Sequence, residues 1–172
     1  QNLDVNRRSN YVVDSEGFIN LTVDKRFRMY TDRSLQKDFI PLNADDQPGN
    51  FFAERILVHE AAASVAAKYA VTRPDSFVAI VAPTPDVRYL CGINGRIPRI
   101  CAFLQKDENK VTQDAVTTIL LNPTAQETLS LTRRLRLEIG TAPENLDVQT
   151  KVADYLWFSS IPKVALIPRL MN

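Results

Sequence analysis

The sequence predicts an α+β fold, with two helices packed on a mostly antiparallel sheet or open barrel of about six to eight strands. Two long stretches alternate apolar and polar residues with a period of two, and two other stretches have the composition of helices. The chain has 172 residues, of which 45% are hydrophobic and 24% charged. These values suit one globular domain with a substantial core.

The alternation is clearest over residues 19–29 and 129–139. In the first stretch apolar side chains occupy most odd positions from Ile19 to Met29, and polar ones occupy the even positions. The second stretch repeats the pattern from Leu129 to Ile139. A period of two is typical of a strand with one buried face and one face in water. We therefore predict two long amphipathic strands.

Helices are predicted at two places. Residues 51–71 are rich in alanine and end before Pro74. A second helix is predicted to open at Thr141 after Gly140 and to carry Tyr155 and Trp157 on its apolar side. The remaining apolar runs predict strands: a central one buried on both faces, a hairpin turning at Asn94-Gly95, and one further strand, at residues 76–82, 87–93 with 97–104, and 116–121.

The predicted organisation is one domain with two arms. Residues 1–10 are polar and without period, residues 11–160 form the α+β domain, and residues 161–172 form an extended arm or edge strand. Because the chain begins with Gln1, we expect an upstream segment to have been removed. A tag, a signal peptide and a pro-segment remain open as its identity.

The two cysteines flank the predicted hairpin turn. With Asn94 and Gly95 as the loop, Cys101 faces Arg88 and lies on the opposite face from Cys91, so the geometry forbids a disulfide. A wider loop centred on Arg96 would permit one. We expect free, partly buried thiols, which favours a soluble protein of a reducing compartment such as the cytoplasm or a virion.

Few residues offer chemistry. The one histidine, His59, begins a His-Glu-Ala-Ala-Ala run that lacks the second histidine of a zinc-protease helix, so it is predicted to be a surface or packed side chain. Two cysteines and one histidine do not make a structural zinc site, and the five glycines form no phosphate-binding loop. The sequence therefore names no catalytic residue, no metal ligand and no cofactor.

One basic constellation stands out. Arg26 and Arg28 lie on the polar side of one predicted strand, and Arg134 and Arg136 lie on the polar side of the other. If these strands are neighbours, four guanidinium groups form a patch suited to phosphate, RNA or an acidic partner. The alternative interpretation is an ordinary solvated strand surface.

Three functions follow from these observations. The first is a non-catalytic structural or assembly subunit of an oligomer or particle, such as a processed virion component, whose partners are copies of itself or other subunits. The second is a nucleic-acid-binding module, although a net charge of +1 provides no global attraction to nucleic acid. The third is a small enzyme with a dispersed site. No run reaches the roughly 18 apolar residues of a membrane span.

Overall fold

The computed structural model describes residues 9–31, 35, 40–41, 48–105, 115–124, 136–138 and 149–159. Its helices are α1 (Ser15–Val23), α2 (Lys25–Tyr30), α3 (Pro48–Thr72) and α4 (Ile93–Gln105). Its strands are β1 (Ile119–Leu121), β2 (Arg136–Glu138), β3 (Gln149–Lys151) and β4 (Tyr155–Trp157).

The predicted sheet or barrel of six to eight strands is wrong, because the described part of the chain is mostly helical. Its strands are three residues long and form two separate pairs. Strands β1 and β4 are parallel, and strands β2 and β3 are antiparallel.

The stretch 19–29 is helical because two aspartates cap it. Asp14 accepts a hydrogen bond from the amide of Gly17 over 2.9 Å at the start of α1. Asp24 ends α1, and its carboxylate accepts from the amide of Phe27 over 3.3 Å in α2. Such side-chain caps satisfy amides that a helix start leaves unpaired. In α2 the i, i+3 spacing then places Phe27 and Tyr30 together in the core.

The predicted hairpin over residues 87–104 is also wrong, since residues 93–105 form α4. Asn94 and Gly95 lie in the first turn of this helix, where the Asn94 side chain donates to the carbonyl of Val87 over 2.7 Å. The buried residues of α4 recur at helical spacing and pack against alanines of α3: Ile93, Ile97, Ile100 and Cys101 against Ala63, Ala66 and Ala67. The helix predicted at 51–71 is confirmed as α3.

The C-terminal predictions have mixed outcomes. Residues 129–135, 139 and 141–148 lie outside the described residues. Residues 136–138 form β2, while 149–151 and 155–157, predicted as helix, form β3 and β4. The strand predicted at 116–121 is reduced to β1, and the strand predicted at 76–82 is wrong, because these residues form neither helix nor strand.

A second core cluster joins α2 to the strands. Phe27 and Tyr30 pack there with Tyr89, Cys91, Leu120 and Val152. The backbone amide of Tyr89 donates to the carbonyl of Val152 over 2.9 Å, which ties the turn before α4 to the β3–β4 connection. Cys91 and Cys101 form no disulfide, as predicted, and both side chains are buried where partly buried ones are expected from the sequence.

The described helices include none with the length and apolarity to cross a membrane. Of the two predicted arms, only Ser9 and Asn10 fall among the described residues.

Candidate functional site

Of the four arginines predicted to share a strand surface, Arg26 and Arg28 do not lie on a strand. Arg26 and Arg28 belong to helix α2, where the side chain of Arg28 is exposed. Arg136 lies in β2, and Arg134 lies outside the described residues. The strand predicted to carry Arg26 and Arg28 is wrong, so these two arginines do not form the predicted strand surface.

Other arginines form a buried ionic network between α3 and α4. Glu60 accepts from Arg96 Nη1 over 2.9 Å, and from Arg99 Nη2 at 2.6 and 2.7 Å. Arg99 also donates to the carboxylate of Asp14, the residue that caps α1. The guanidinium of Arg96 lies 5.2 Å from the centre of the Phe27 ring. The network therefore connects α1, α2, α3 and α4 through side chains alone.

A second set of charges surrounds Asp86, at the end of a short 3-10 turn (Thr84–Asp86). Its Oδ1 accepts from Arg55 Nε over 2.8 Å and from His59 Nε2 over 2.9 Å. The Tyr30 hydroxyl donates to the carbonyl of Pro85, and its ring lies 6.4 Å from that of His59. These contacts fix the turn against α2 and α3.

Burial and hydrogen bonding together set the protonation of His59 and Asp86. It lowers the pKa of His59, an effect that the hydrogen bond and charge of Asp86 oppose without reversing. Burial alone would raise the pKa of Asp86, but the hydrogen bonds from His59 and Arg55 outweigh it and lower that pKa. At neutral pH a neutral His59 thus donates its Nε2 proton to an ionised Asp86.

The His59–Asp86 pair resembles the base and orienting acid of a catalytic triad, but its setting is structural. The His59 side chain has no solvent exposure. Cys91 donates its thiol to the carbonyl of Tyr89 over 3.2 Å and packs in the core. The described residues also contain no group of three or more His, Cys, Asp or Glu side chains placed to hold a metal ion.

The outer side of the β1–β4 pair faces solvent. The register pairs Ile119 with Tyr155 and Leu121 with Trp157. Leu120 between them is 1% exposed, whereas Leu121 is 67% and Trp157 64% exposed. One side of the pair therefore enters the core and the other presents four apolar side chains to water. We call Ile119, Leu121, Tyr155 and Trp157 the sheet face.

Polar contacts hold the sheet face in place. The amide of Thr118 donates to Asp154 over 2.7 Å, and Lys151 pairs with the same carboxylate. At the other end the amide of Asn122, a residue with φ 46°, donates to the carbonyl of Trp157 over 2.7 Å. Exposed aromatic and aliphatic side chains on a fixed backbone are typical of a contact surface.

Sequence reasoning missed this surface. Residues 119–121 are all apolar, so no alternation marks which of them face outward. Tyr155 and Trp157 are predicted on the apolar side of a helix facing the core, whereas in β4 their two-residue spacing places both on the exposed side. The available signal was the clustering of Tyr155, Trp157 and Phe158 directly after the turn-forming Asp154.

Comparisons with protein-family models, curated proteins and solved structures find no match, so the functional argument depends on this chain's own geometry.

Proposed function

We propose that this protein is a non-catalytic assembly subunit that binds further copies of itself, or other subunits of an oligomer or particle, through the sheet face. The observation that carries the proposal is the exposure of four apolar side chains, two of them aromatic, on one side of a hydrogen-bonded pair of strands. Isolated exposed apolar residues are common on any protein, but contiguous ones on a fixed sheet mark contact surfaces.

The free energy gained by burying the sheet face is too small to hold a complex alone, so other surfaces must contribute to the contact. Complete burial of a large apolar side chain stabilises a complex by about 1.5–3 kcal/mol. The side chains of the sheet face are already partly covered, so four of them contribute roughly 5 kcal/mol by the same measure. Association costs roughly 4–15 kcal/mol in lost freedom of movement. The sheet face thus offsets only part of this cost.

The buried ionic network supports the same function in a different way. It joins helices that are distant in sequence through charged contacts of defined geometry. A rigid interior keeps a contact surface in one shape and lowers the entropy cost of binding. The nucleic-acid alternative loses the strand surface on which it depended, and we do not propose it.

Sedimentation velocity over a range of concentrations tests the proposal. The wild-type protein is expected to form larger species as concentration rises, and Leu121→Ser is expected to shift that association to at least tenfold higher concentration. Val65→Ser, on the exposed side of α3, is the matched control and should associate like the wild type. A wild-type protein that stays monomeric at high concentration, or equal effects of both substitutions, would contradict the proposal.

A further inference from the structure

The guanidinium of Arg96 has hydrogen-bond donors that the described part of the chain does not use. Arg96 belongs to α4, and its side chain has no exposure to solvent. Its Nη1 donates to Glu60 over 2.9 Å. Among the residues that the structure describes, no group accepts from Nε or Nη2, although both atoms are buried. One edge of a fully buried cation therefore faces no protein acceptor there.

The two unpaired nitrogens belong to the same edge of the guanidinium. Their N–H bonds point in parallel directions, and this edge is the one with which arginine holds two oxygens of a carboxylate or another oxyanion. We call Nε and Nη2 of Arg96 the fork. The Phe27 ring lies against the group, 5.2 Å from its central carbon, and Glu60 accepts from the third nitrogen. The fork is thus the part of the Arg96 cation that remains for a ligand.

The charges around Arg96 place the fork at the positive end of an alternating chain. Glu60 is shared by two cations, Arg96 at 2.9 Å and Arg99 at 2.6 Å. Arg99 in turn pairs with Asp14, which also caps the positive N-terminus of α1. Burial lowers the pKa of Arg96 although Glu60 opposes the change. Glu60 therefore compensates the buried charge only in part.

An unpaired buried donor lowers stability, and the loss is larger when the donor carries charge. Water supplies an acceptor oxygen but no opposite charge. We propose that the fork binds a small planar oxyanion inside the molecule, a ligand with the size and shape of formate or nitrate. Two oxygens of such an anion accept from Nε and Nη2 together, and its negative charge continues the alternation of Asp14, Arg99, Glu60 and Arg96.

The position of the fork limits the ligand. Because Nε and Nη2 are buried, the fold must enclose the anion completely, which excludes bulky carboxylates. The anion enters during folding or when the helices open locally. The site lies in the interior between α3 and α4, so it goes beyond the proposed assembly function and does not depend on the sheet face.

Urea unfolding in sodium formate tests the site. Sodium gluconate replaces formate at constant ionic strength as the matched control, because it carries the same carboxylate on a molecule too large to be enclosed. A ligand that binds only the folded state raises the folding equilibrium constant by about tenfold for each tenfold increase in concentration above its dissociation constant. We expect this rise in formate and none in gluconate. Sodium nitrate, measured in parallel, shows whether the fork prefers a carboxylate or an inorganic oxyanion.

Two arginine variants locate the effect. Arg96→Lys keeps a positive charge opposite Glu60 but removes the fork, so the dependence on formate should disappear. Arg73→Lys, at an exposed arginine that follows α3, should respond to formate like the wild type. An equal response in both variants would place the anion elsewhere and contradict the proposal.

A measurement on the wild type keeps the test independent of the folding of Arg96→Lys. His59 is the chain's one histidine, and the charge of Arg96 acts on its ring. At constant pH, the imidazole proton resonances of His59 are expected to shift with formate or nitrate until the site saturates, and to stay in place with gluconate. Unmoved resonances, together with equal urea midpoints in all three salts, would show that the fork binds no anion.

Discussion

Glu60 and Arg96 form an ion pair in which neither side chain has any exposure to solvent, with Arg96 Nη1 donating to Glu60 Oε2 over 2.9 Å. Such a pair adds little net stability, because the cost of removing two charges from water offsets their attraction. Its contribution is geometric, because the contact joins Glu60 of α3 to Arg96 of α4 and so restricts how the two helices pack.

Removing the charge of Glu60 should reveal the cost of burying Arg96 without a counter-charge. Glu60→Gln keeps the shape of the side chain but leaves the buried Arg96 without its counter-charge, so we expect the free energy of unfolding to fall by about 3–5 kcal/mol. Urea unfolding followed by circular dichroism measures the change. Glu54→Gln, an exposed position on the same helix, should alter it by less than about 0.5 kcal/mol. Equal midpoints for the two variants would contradict the structural role of the network.

The single histidine makes the protonation of the interior directly measurable. His59 faces Asp86, Arg55, Arg96 and the Tyr30 ring, and its pKa is lowered mainly by burial. We expect its imidazole proton resonances to show no titration near pH 6.5, the ordinary value, while the protein stays folded. Titration of a folded protein at or above pH 6.5 would contradict this environment.

The same lowered pKa makes unfolding depend on pH. An unfolded chain binds a proton at His59 near pH 6.5, whereas the folded chain resists it, so stability is complete above pH 6.5 and falls as the pH decreases below it. His59→Gln should show a smaller loss of stability between pH 7 and pH 5 than the wild type. Urea midpoints across this range provide the measurement, and identical slopes for both proteins would count against the assignment.

Gly92, just before α4, and Gly95, in the first turn of α4, both lie close against the preceding backbone. A Cβ on Gly92 would lie 1.8 Å from the carbonyl oxygen of Asp86, and one on Gly95 would lie 1.8 Å from that of Leu90. Tyr89 and Leu90 already have positive φ angles of 62° and 55°, so the turn carries strain.

Alanine at Gly92 or Gly95 must therefore move the backbone, and we expect each substitution to lower the unfolding free energy by more than about 2 kcal/mol. Gly49 in α3 provides the control, because nothing lies within 4 Å of its Cβ position. Gly49→Ala should be neutral or stabilise by up to about 1 kcal/mol. Thermal melting compares the variants, and a turn that tolerates alanine at both positions would refute the close approach.

The prediction of α3 was correct because this segment is rich in alanine, the residue that most favours a helix. The strand prediction over residues 19–29 failed because the alternation of residue types does not reveal the helix caps. Asp14 and Asp24 accept their capping hydrogen bonds only once the chain has folded into helices. The hairpin prediction failed because Asn94-Gly95 also suits a helix start when the Asn94 side chain donates to Val87. The prediction that Cys91 and Cys101 form no disulfide is correct, although the strand register from which it was argued does not exist.

The candidate surfaces were harder to predict than the helices. Residues 76–82 and 119–121 have the composition of buried strands. Composition alone does not show whether the same chain covers such an apolar run or leaves it exposed on the surface. The buried ionic network could not be predicted from the sequence either, because Glu60, Arg96 and Arg99 become neighbours only when α3 packs on α4.

The emission of Trp157, the chain's one tryptophan, during serial dilution tests the central claim most directly. Because its side chain is 64% exposed in the single chain, the account predicts blue-shifted emission at high concentration that moves to longer wavelength as the complex dissociates, in step with sedimentation. Emission that stays at the wavelength of an exposed indole while the protein assembles would show that the sheet face is not the contact.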